Sequence, residues 1–263
     1  MSLAHPSHDL LKRVWYRPYT KPHQPFKIRT QDGITLAGVH LAAEHNTLII
    51  YCHGFLGGKN YTVVPRFVEM LAEEVDVIAF DFRGHGESEG LSTLGEREVL
   101  DVDAVMGYAR GLGYRRILLV GSSMGGATVL RYAAMNREVA GVATIGAFAH
   151  PGLTLLAEMG LWLSRYPFAD SLARVVRRCC ISPDLRLPSP LAVVHEISPR
   201  PLLMFHGEFD LLIPVQQGRE LYAAAGEPKE LVVIPHGDHD IPNLRRWARD
   251  WIMEWVGREF GTI

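Results

Sequence analysis

The stretch Val120-Gly121-Ser122-Ser123-Met124-Gly125-Gly126 constrains this chain more than any other. An apolar run, Ile117-Leu118-Leu119-Val120, leads into it, and Ala127-Thr128-Val129-Leu130-Arg131-Tyr132-Ala133-Ala134, with helical character, leads out. The order is strand, tight turn, helix. Glycines two positions either side of Ser123 remove the Cβ atoms that would strike neighbouring backbone in so sharp a turn. The frame Gly121-x-Ser123-x-Gly125 fits a corner that presents a serine hydroxyl clear of its strand. The helix that follows aims its N-terminus at the serine, where partial positive charge favours a developing anion. The register centred on Ser122 has Val120 and Met124 at those flanking positions, so Ser123 is the expected nucleophile.

Around this corner the chain alternates between strand and helix. Phe26–Thr30 and Ile34–Val39 flank Asp32-Gly33 and read as an antiparallel hairpin at a sheet edge. Thr47–Cys52 is apolar throughout, as expected of a strand buried on both faces. An amphipathic helix is expected over Val63–Glu74, a strand over Val75–Phe80, and a helix over Glu96–Arg110. Another apolar run follows at Val139–Ile145. This repetition predicts a mostly parallel twisted sheet with helices on both faces, whose ligands bind at the carboxyl ends of the strands.

Three glycine-bearing loops fall at that end. His53-Gly54-Phe55-Leu56-Gly57-Gly58-Lys59-Asn60 is no phosphate loop, because His53 and Asn60 stand where a glycine and a Ser or Thr are needed. The dinucleotide fingerprint also fails at Gly84-His85-Gly86, with Glu89 in the last glycine's place. The alternative use of the first loop is an oxyanion hole, with the Phe55 amide as one donor and the Met124 amide as the other. Asp81, Arg83 and His85 are expected to brace the neighbouring elbow rather than to react.

Residues 148–199 interrupt the alternation and are expected to form a small helical cap insertion between two parts of one core domain, 1–147 and 200–263, with residues 1–25 as an N-terminal extension. A helical turn over Asp9–Arg17 is expected within that extension. The basic run Arg174–Arg178 reads as a solvated helix face. The pattern resumes with a strand at Pro201–Phe205, a helix at Val215–Ala225 and a strand at Glu230–Ile234. Asp210 follows the first of these strands and His239 the second, which gives the chain order Ser, Asp, His. His236 is a rival base and Asp184 a distant rival acid; Asp238 and Asp240 read as caps of the last helix. That helix, Asn243–Phe260, carries Trp247, Trp251 and Trp255 on one stripe and Leu244, Ala248, Ile252 and Val256 on the next. One stripe should pack on the sheet; the other is either part of a wide core face or a homo-oligomer contact.

Composition narrows the function classes. Acidic and basic residues nearly cancel, 29 against 27, so no global field points to nucleic acid or an anionic membrane. No apolar run approaches the ~18 residues of a membrane span. Met1–His8 lacks the apolar core of a signal peptide, and Cys52, Cys179 and Cys180 make no disulfide framework or zinc spacing. A cytoplasmic chain with reduced thiols is expected.

Together these motifs resemble the α/β-hydrolase superfamily, most of all its compact serine esterases and its lysophospholipase-like and serine aminopeptidase-like members. The resemblance runs from about Phe26 to about Phe260. It rests on His53-Gly54-Phe55 with Gly57-Gly58-Lys59, Asp81-Phe82-Arg83-Gly84-His85-Gly86-Glu87-Ser88, Gly121–Gly126, His206-Gly207-Glu208-Phe209-Asp210 and Gly237-Asp238-His239. The His-Gly-Phe loop is also similar to that of bacterial feruloyl esterases. The Gly-x-His ending selects His239 over His236. The resemblance implies a triad of Ser123, Asp210 and His239 acting on a small-molecule ester, with no metal and no organic cofactor. A thioesterase or an aminopeptidase-like amidase, with Glu158 or Asp170 holding a substrate amino terminus, would use the same triad. A binding module that keeps the triad without using it is the reading from another class.

Overall fold

The computed structural model describes residues 16–61, 63–150, 181, 182, 186, 189–239 and 242–261; of 242–246 it describes the backbone alone. Eight strands form one sheet: β1 (Gln24–Arg29), β2 (Thr35–Leu41), β3 (Thr47–Cys52), β4 (Asp76–Phe80), β5 (Arg116–Ser122), β6 (Gly141–Ile145), β7 (Leu202–Gly207) and β8 (Lys229–Ile234). Their order across the sheet is β1-β2-β4-β3-β5-β6-β7-β8. The hairpin β1–β2 is antiparallel, and β2 runs antiparallel to β4; every other pairing is parallel. The expected mostly parallel sheet with an antiparallel edge is what forms.

Alternation along the central strands builds two cores. Leu48, Ile50 and Cys52 of β3, with Ile117 and Leu119 of β5, face one side. Ile49 and Tyr51, with Leu118 and Val120, face the other. Successive side chains of a strand point to opposite faces, so a continuous apolar run is what a strand covered on both sides requires. Ile49 and Ile50 are both fully buried, and each such side chain contributes roughly 1.5–3 kcal/mol. Helices α2 (Glu98–Gly111), α3 (Met124–Met135) and α4 (Val215–Ala224) cover the first face, through residues such as Val102, Val129 and Leu221. Helices α1 (Val64–Leu71) and α5 (Pro242–Phe260) cover the second, through Phe67, Ile252 and Val256. Helix α1 is shorter than its apolar spacing implied: it starts with Pro65 in its first turn and stops at Leu71.

On α5 the stripe of Ala248, Ile252 and Val256 is buried, joined by Trp255, while Trp247 is 56% and Trp251 37% exposed. The aromatic stripe therefore splits, because only Trp255 rotates far enough round the helix to reach the sheet. The expected cap, 148–199, lies largely outside the described residues. At its C-terminal end, Pro190–Ala192 and Val194–Ile197 form short 3-10 turns, and Ile181 bridges to Ser92. The turn expected over Asp9–Arg17 and the basic run Arg174–Arg178 also fall outside, apart from residues 16 and 17.

Candidate active site

Strand β5 ends at Ser122 and α3 begins at Met124, so Ser123 alone makes the corner. It does so at φ 51° and ψ −118°, a left-handed conformation that costs a side-chain-bearing residue energy and persists only where its surroundings enforce it. Its N–H donates to Ile145 O at 2.8 Å, and its carbonyl accepts from Ala127 N at 3.0 Å. A Cβ on Gly121 would sit 2.4 Å from Gly125 O, and one on Gly125 only 2.2 Å from Cys52 O. Both glycines of the motif are therefore steric requirements. Ser122 points elsewhere: it is buried, and its Oγ lies 3.0 Å from the Tyr51 hydroxyl.

Ser123, His239 and Asp210 meet although 116 and 29 positions separate them pairwise along the chain. Ser123 Oγ lies 3.0 Å from His239 Nε2, and His239 Nδ1 lies 2.7 Å from Asp210 Oδ2. Asp210 stands in the loop after β7, with its side chain fully buried. Its Oδ1 accepts the N–H groups of Leu212 at 3.0 Å and Ile213 at 2.7 Å, so the carboxylate is fixed by its own loop. A buried acceptor-only group held in this way requires a proton on His239 Nδ1, which leaves Nε2 as the acceptor facing the serine. The His239 side chain is 17% exposed, open enough to trade protons with a substrate.

His236 is not part of this arrangement. It lies exposed at φ 57°, its N–H donates to Glu208 at 3.0 Å, and its ring packs 5.3 Å from that of Phe209. Asp184, Asp240, Glu158, Asp170, Cys179 and Cys180 lie outside the described residues. One contributor escaped sequence reasoning. His206, buried on β7, lies 2.7 Å from Ile213 O through Nε2 and 3.6 Å from Asp210 Oδ2. Burial holds its imidazole below the usual range against the pull of the Ile213 carbonyl and Asp210, so it is a neutral donor that closes the acid's loop. The available signal was a histidine one residue from the end of a buried strand.

The loop after β3 meets the corner directly. A Cβ on Gly54 would lie 3.2 Å from Ser123 Cβ. His53 Nε2 accepts the Phe82 N–H at 3.0 Å, which places the ring proton on Nδ1, where it donates to Gly54 O at 2.7 Å. The Gly54–Phe55 peptide is trans, so with its carbonyl turned towards His53 its N–H points the opposite way. Among the described residues neither the Phe55 nor the Met124 amide has a hydrogen-bond acceptor.

The loop 81–88 packs against this loop. The elbow is locked by its own glycines and by β6. Asp81 binds Lys59 and Glu87, whereas Arg83 reaches back to Asp101 on α2 and Asp32 in the hairpin turn, with contacts of 2.7 to 3.1 Å. Burial opposes the Arg83 charge, but the carboxylates on both sides outweigh it and raise its pKa. Among the described residues no cluster of three or more His, Cys, Asp or Glu side chains is disposed to hold a metal ion, and no helix is long and apolar enough to cross a membrane.

With a strained serine at the β5–α3 corner, an acid in the loop after β7 and an imidazole in the loop after β8, the chain belongs to the α/β-hydrolase fold family. Residues 47–171 match the family described as alpha/beta hydrolase fold. The chain is 33% identical over 257 residues to the uncharacterized protein YfhR of Salmonella typhimurium, an alignment covering 92% of this chain and 84% of that protein. Among solved structures it is similar to the Pyrococcus furiosus esterase Pf2001, with a TM-score of 0.76 and 23% identity over 91% of this chain and 93% of that one. It is also similar to the esterase domain of a Rhodothermus marinus protein, with a TM-score of 0.66 and 22% identity over 90% and 99% of the two chains.

Proposed function

We propose that the chain is a serine hydrolase that cleaves carboxylic esters of small or medium acyl groups through an acyl-enzyme intermediate. The observation that carries this reading is the Ser123–His239–Asp210 relay, with bonds of 3.0 and 2.7 Å. Ser123 Oγ attacks the acyl carbonyl carbon while His239 Nε2 takes the hydroxyl proton. Asp210 keeps the imidazole in the right tautomer and stabilises it once charged. The carbonyl oxygen, now an oxyanion, is held by the Phe55 and Met124 amides; loss of one such donor typically costs ~10²–10³ in rate. The C–O bond to the alcohol then breaks, and His239 returns its proton to the departing oxygen. Water repeats the sequence on the acyl-enzyme, with His239 first as base and then as acid, and Ser123 is regenerated. Ester rather than amide chemistry is favoured by the two similar structures, both of them esterases.

The experiment is hydrolysis of nitrophenyl esters from acetyl to palmitoyl, beside an acyl thioester and an aminoacyl anilide, with Ser123→Ala as control. Serine-dependent turnover that peaks at short or medium chains is expected. Cleavage of the anilide or thioester with the esters untouched would replace the esterase reading by its amidase or thioesterase counterpart.

A further inference from the structure

The loop that carries the Phe55 amide is held at two ends, and only the near end involves His53. At the far end Asp81, 2% exposed, takes the Lys59 N–H on Oδ1 at 2.6 Å and the Lys59 ammonium on Oδ2 at 2.7 Å. Its Oδ2 also accepts the Glu87 N–H at 2.9 Å. Lys59 itself is 3% exposed. The fit is close enough that a Cβ on Gly86, at φ 55°, would lie 2.3 Å from Asp81 Oδ2. Lys59 is fixed from a third side, because the buried Tyr19 hydroxyl donates to its carbonyl at 2.8 Å. Tyr19 belongs to a strap tied down at both ends. Arg17 N–H donates to Asn60 O at 2.9 Å, and Glu69 of α1 takes the Thr20 hydroxyl at 2.9 Å and the Lys21 N–H at 3.0 Å.

Between the two anchors lies a strained turn. Leu56 stands at φ 58°, in the left-handed region, and Gly57 N–H turns back to Gly54 O at 3.0 Å. Such a conformation persists only where the surroundings over-determine it. A desolvated ion pair is a poor source of net stability, since the loss of hydration nearly cancels the attraction, but it fixes geometry tightly. We infer that Lys59 and Asp81 are positioning residues that hold the Leu56 turn closed and so keep the Phe55 amide where the oxyanion forms. This rests on the serine-hydrolase reading. Releasing the far anchor lets the turn relax towards ordinary backbone, and displacement of a reacting group by about 1 Å can cost ~10² in rate.

The test is the second-order rate of Ser123 labelling by a fluorophosphonate, which forms a tetrahedral oxyanion-like adduct without needing the natural substrate. It is run on wild type, Ser123→Ala, Lys59→Met and Lys59→Gln, with melting curves and, where an ester is turned over, kcat and KM. Lys59→Met keeps the backbone N–H and the stem but loses the ammonium. Labelling and kcat about 10- to 100-fold lower, with KM within about twofold of wild type, is expected of a displaced oxyanion donor. A folded Lys59→Met that labels at the wild-type rate, even with a lower melting temperature, overturns the inference and leaves the pair merely structural. Should Lys59→Met fail to fold, Lys59→Gln decides: its amide leaves Asp81 a neutral donor but removes the charge from the clamp, and a labelling rate about threefold lower supports the positioning role, while an unchanged rate refutes it. Wild type that does not label at all fails the serine-hydrolase reading and the positioning role with it, an outcome distinct from wild type labelling with its variants unaffected.

Discussion

Gly125, the first glycine after the corner serine, packs its Cα against the carbonyl of Cys52 so tightly that a Cβ would stand 2.2 Å from the oxygen. The contact joins the N-terminus of α3 to the end of β3, and both loops of the site hang from it. Gly125→Ala must therefore push α3 and its serine away from the Gly54–Phe55 loop. Overpacking of this kind typically costs about 1–3 kcal/mol. Chemical denaturation should show a loss of that order, with Ser123 labelling reduced in whatever protein folds. A variant as stable and reactive as wild type would mean that the corner has slack that the geometry denies.

Asp210 divides its two oxygens between structure and chemistry, with Oδ1 on Leu212 and Ile213 amides and Oδ2 on His239. Asp210→Asn can keep its carbonyl on the two amides, which turns its NH₂ towards His239 Nδ1. The imidazole must then protonate on Nε2, the wrong tautomer for accepting the serine proton. The fold should survive, and kcat should fall by about 10⁴. Coincident melting curves with a collapsed kcat would support the assignment, and a change below tenfold would remove Asp210 from the relay.

Three buried imidazoles make the fold acid-sensitive. Burial holds His85, His206 and His40 below the usual range, although Glu98 and Asp81, Asp210 and Asp76 respectively pull them upward. The unfolded chain titrates its histidines near ~6.5, so below that pH it binds protons that the folded chain refuses. Stability is therefore level above about pH 7 and falls as pH drops through ~6.5 towards the depressed folded values, by at most about 1.4 kcal/mol per pH unit for each imidazole. Urea midpoints at pH 7.5, 6.5 and 5.5 should decline, and His206→Gln, whose amide can still donate to Ile213 O, should shallow the slope. A flat profile would contradict the linkage.

The acid limb continues at lower pH through Asp76. Burial opposes its charge, but the Tyr114 hydroxyl, the Ala43 and His45 N–H groups and the His45 ring together hold its carboxyl below the usual range. A carboxyl depressed in the folded state contributes stability above its unfolded pKa of ~3.9, and that contribution is lost as pH falls through the folded value. Asp76→Asn should be less stable than wild type at pH 6, with the gap narrowing as pH falls below the unfolded value of ~3.9. A gap that stays constant across that range would assign the loss to packing instead of charge.

Much of this was legible in the chain because it is local. The glycines around Ser123 and the continuous apolar runs of β3 and β5 carry their geometry in neighbouring residues. The Asp and His at successive strand ends could be placed because a parallel sheet gathers its carboxyl ends on one side. What stayed hidden depends on partners far apart in sequence. Nothing near Lys59 announces that it will bury its ammonium against Asp81, 22 positions on. His206 stands just past the expected strand Pro201–Phe205, and nothing local shows that Ile213 O will curl back over it. The placement of β4 between β2 and β3 likewise leaves no periodic trace, since each strand's pattern records only that both faces are covered.

The split on α5 gives a contrast within a single helix. Ile252 is fully buried against the sheet, whereas Trp247, five residues earlier, is 56% exposed. Removing the buried branches leaves a cavity beside Val256 and Ala248, and Ile→Ala changes at such sites cost about 2–5 kcal/mol. Trp247→Ala removes a larger side chain but mostly surface already in water, and exposed substitutions usually stay within about ±0.5 kcal/mol. Hydrophobic size alone would rank the two the other way. Urea denaturation of both variants therefore separates burial from bulk. A Trp247→Ala loss equal to that of Ile252→Ala would mean that the exposed tryptophan is covered in solution, either by another part of this chain or by a second copy.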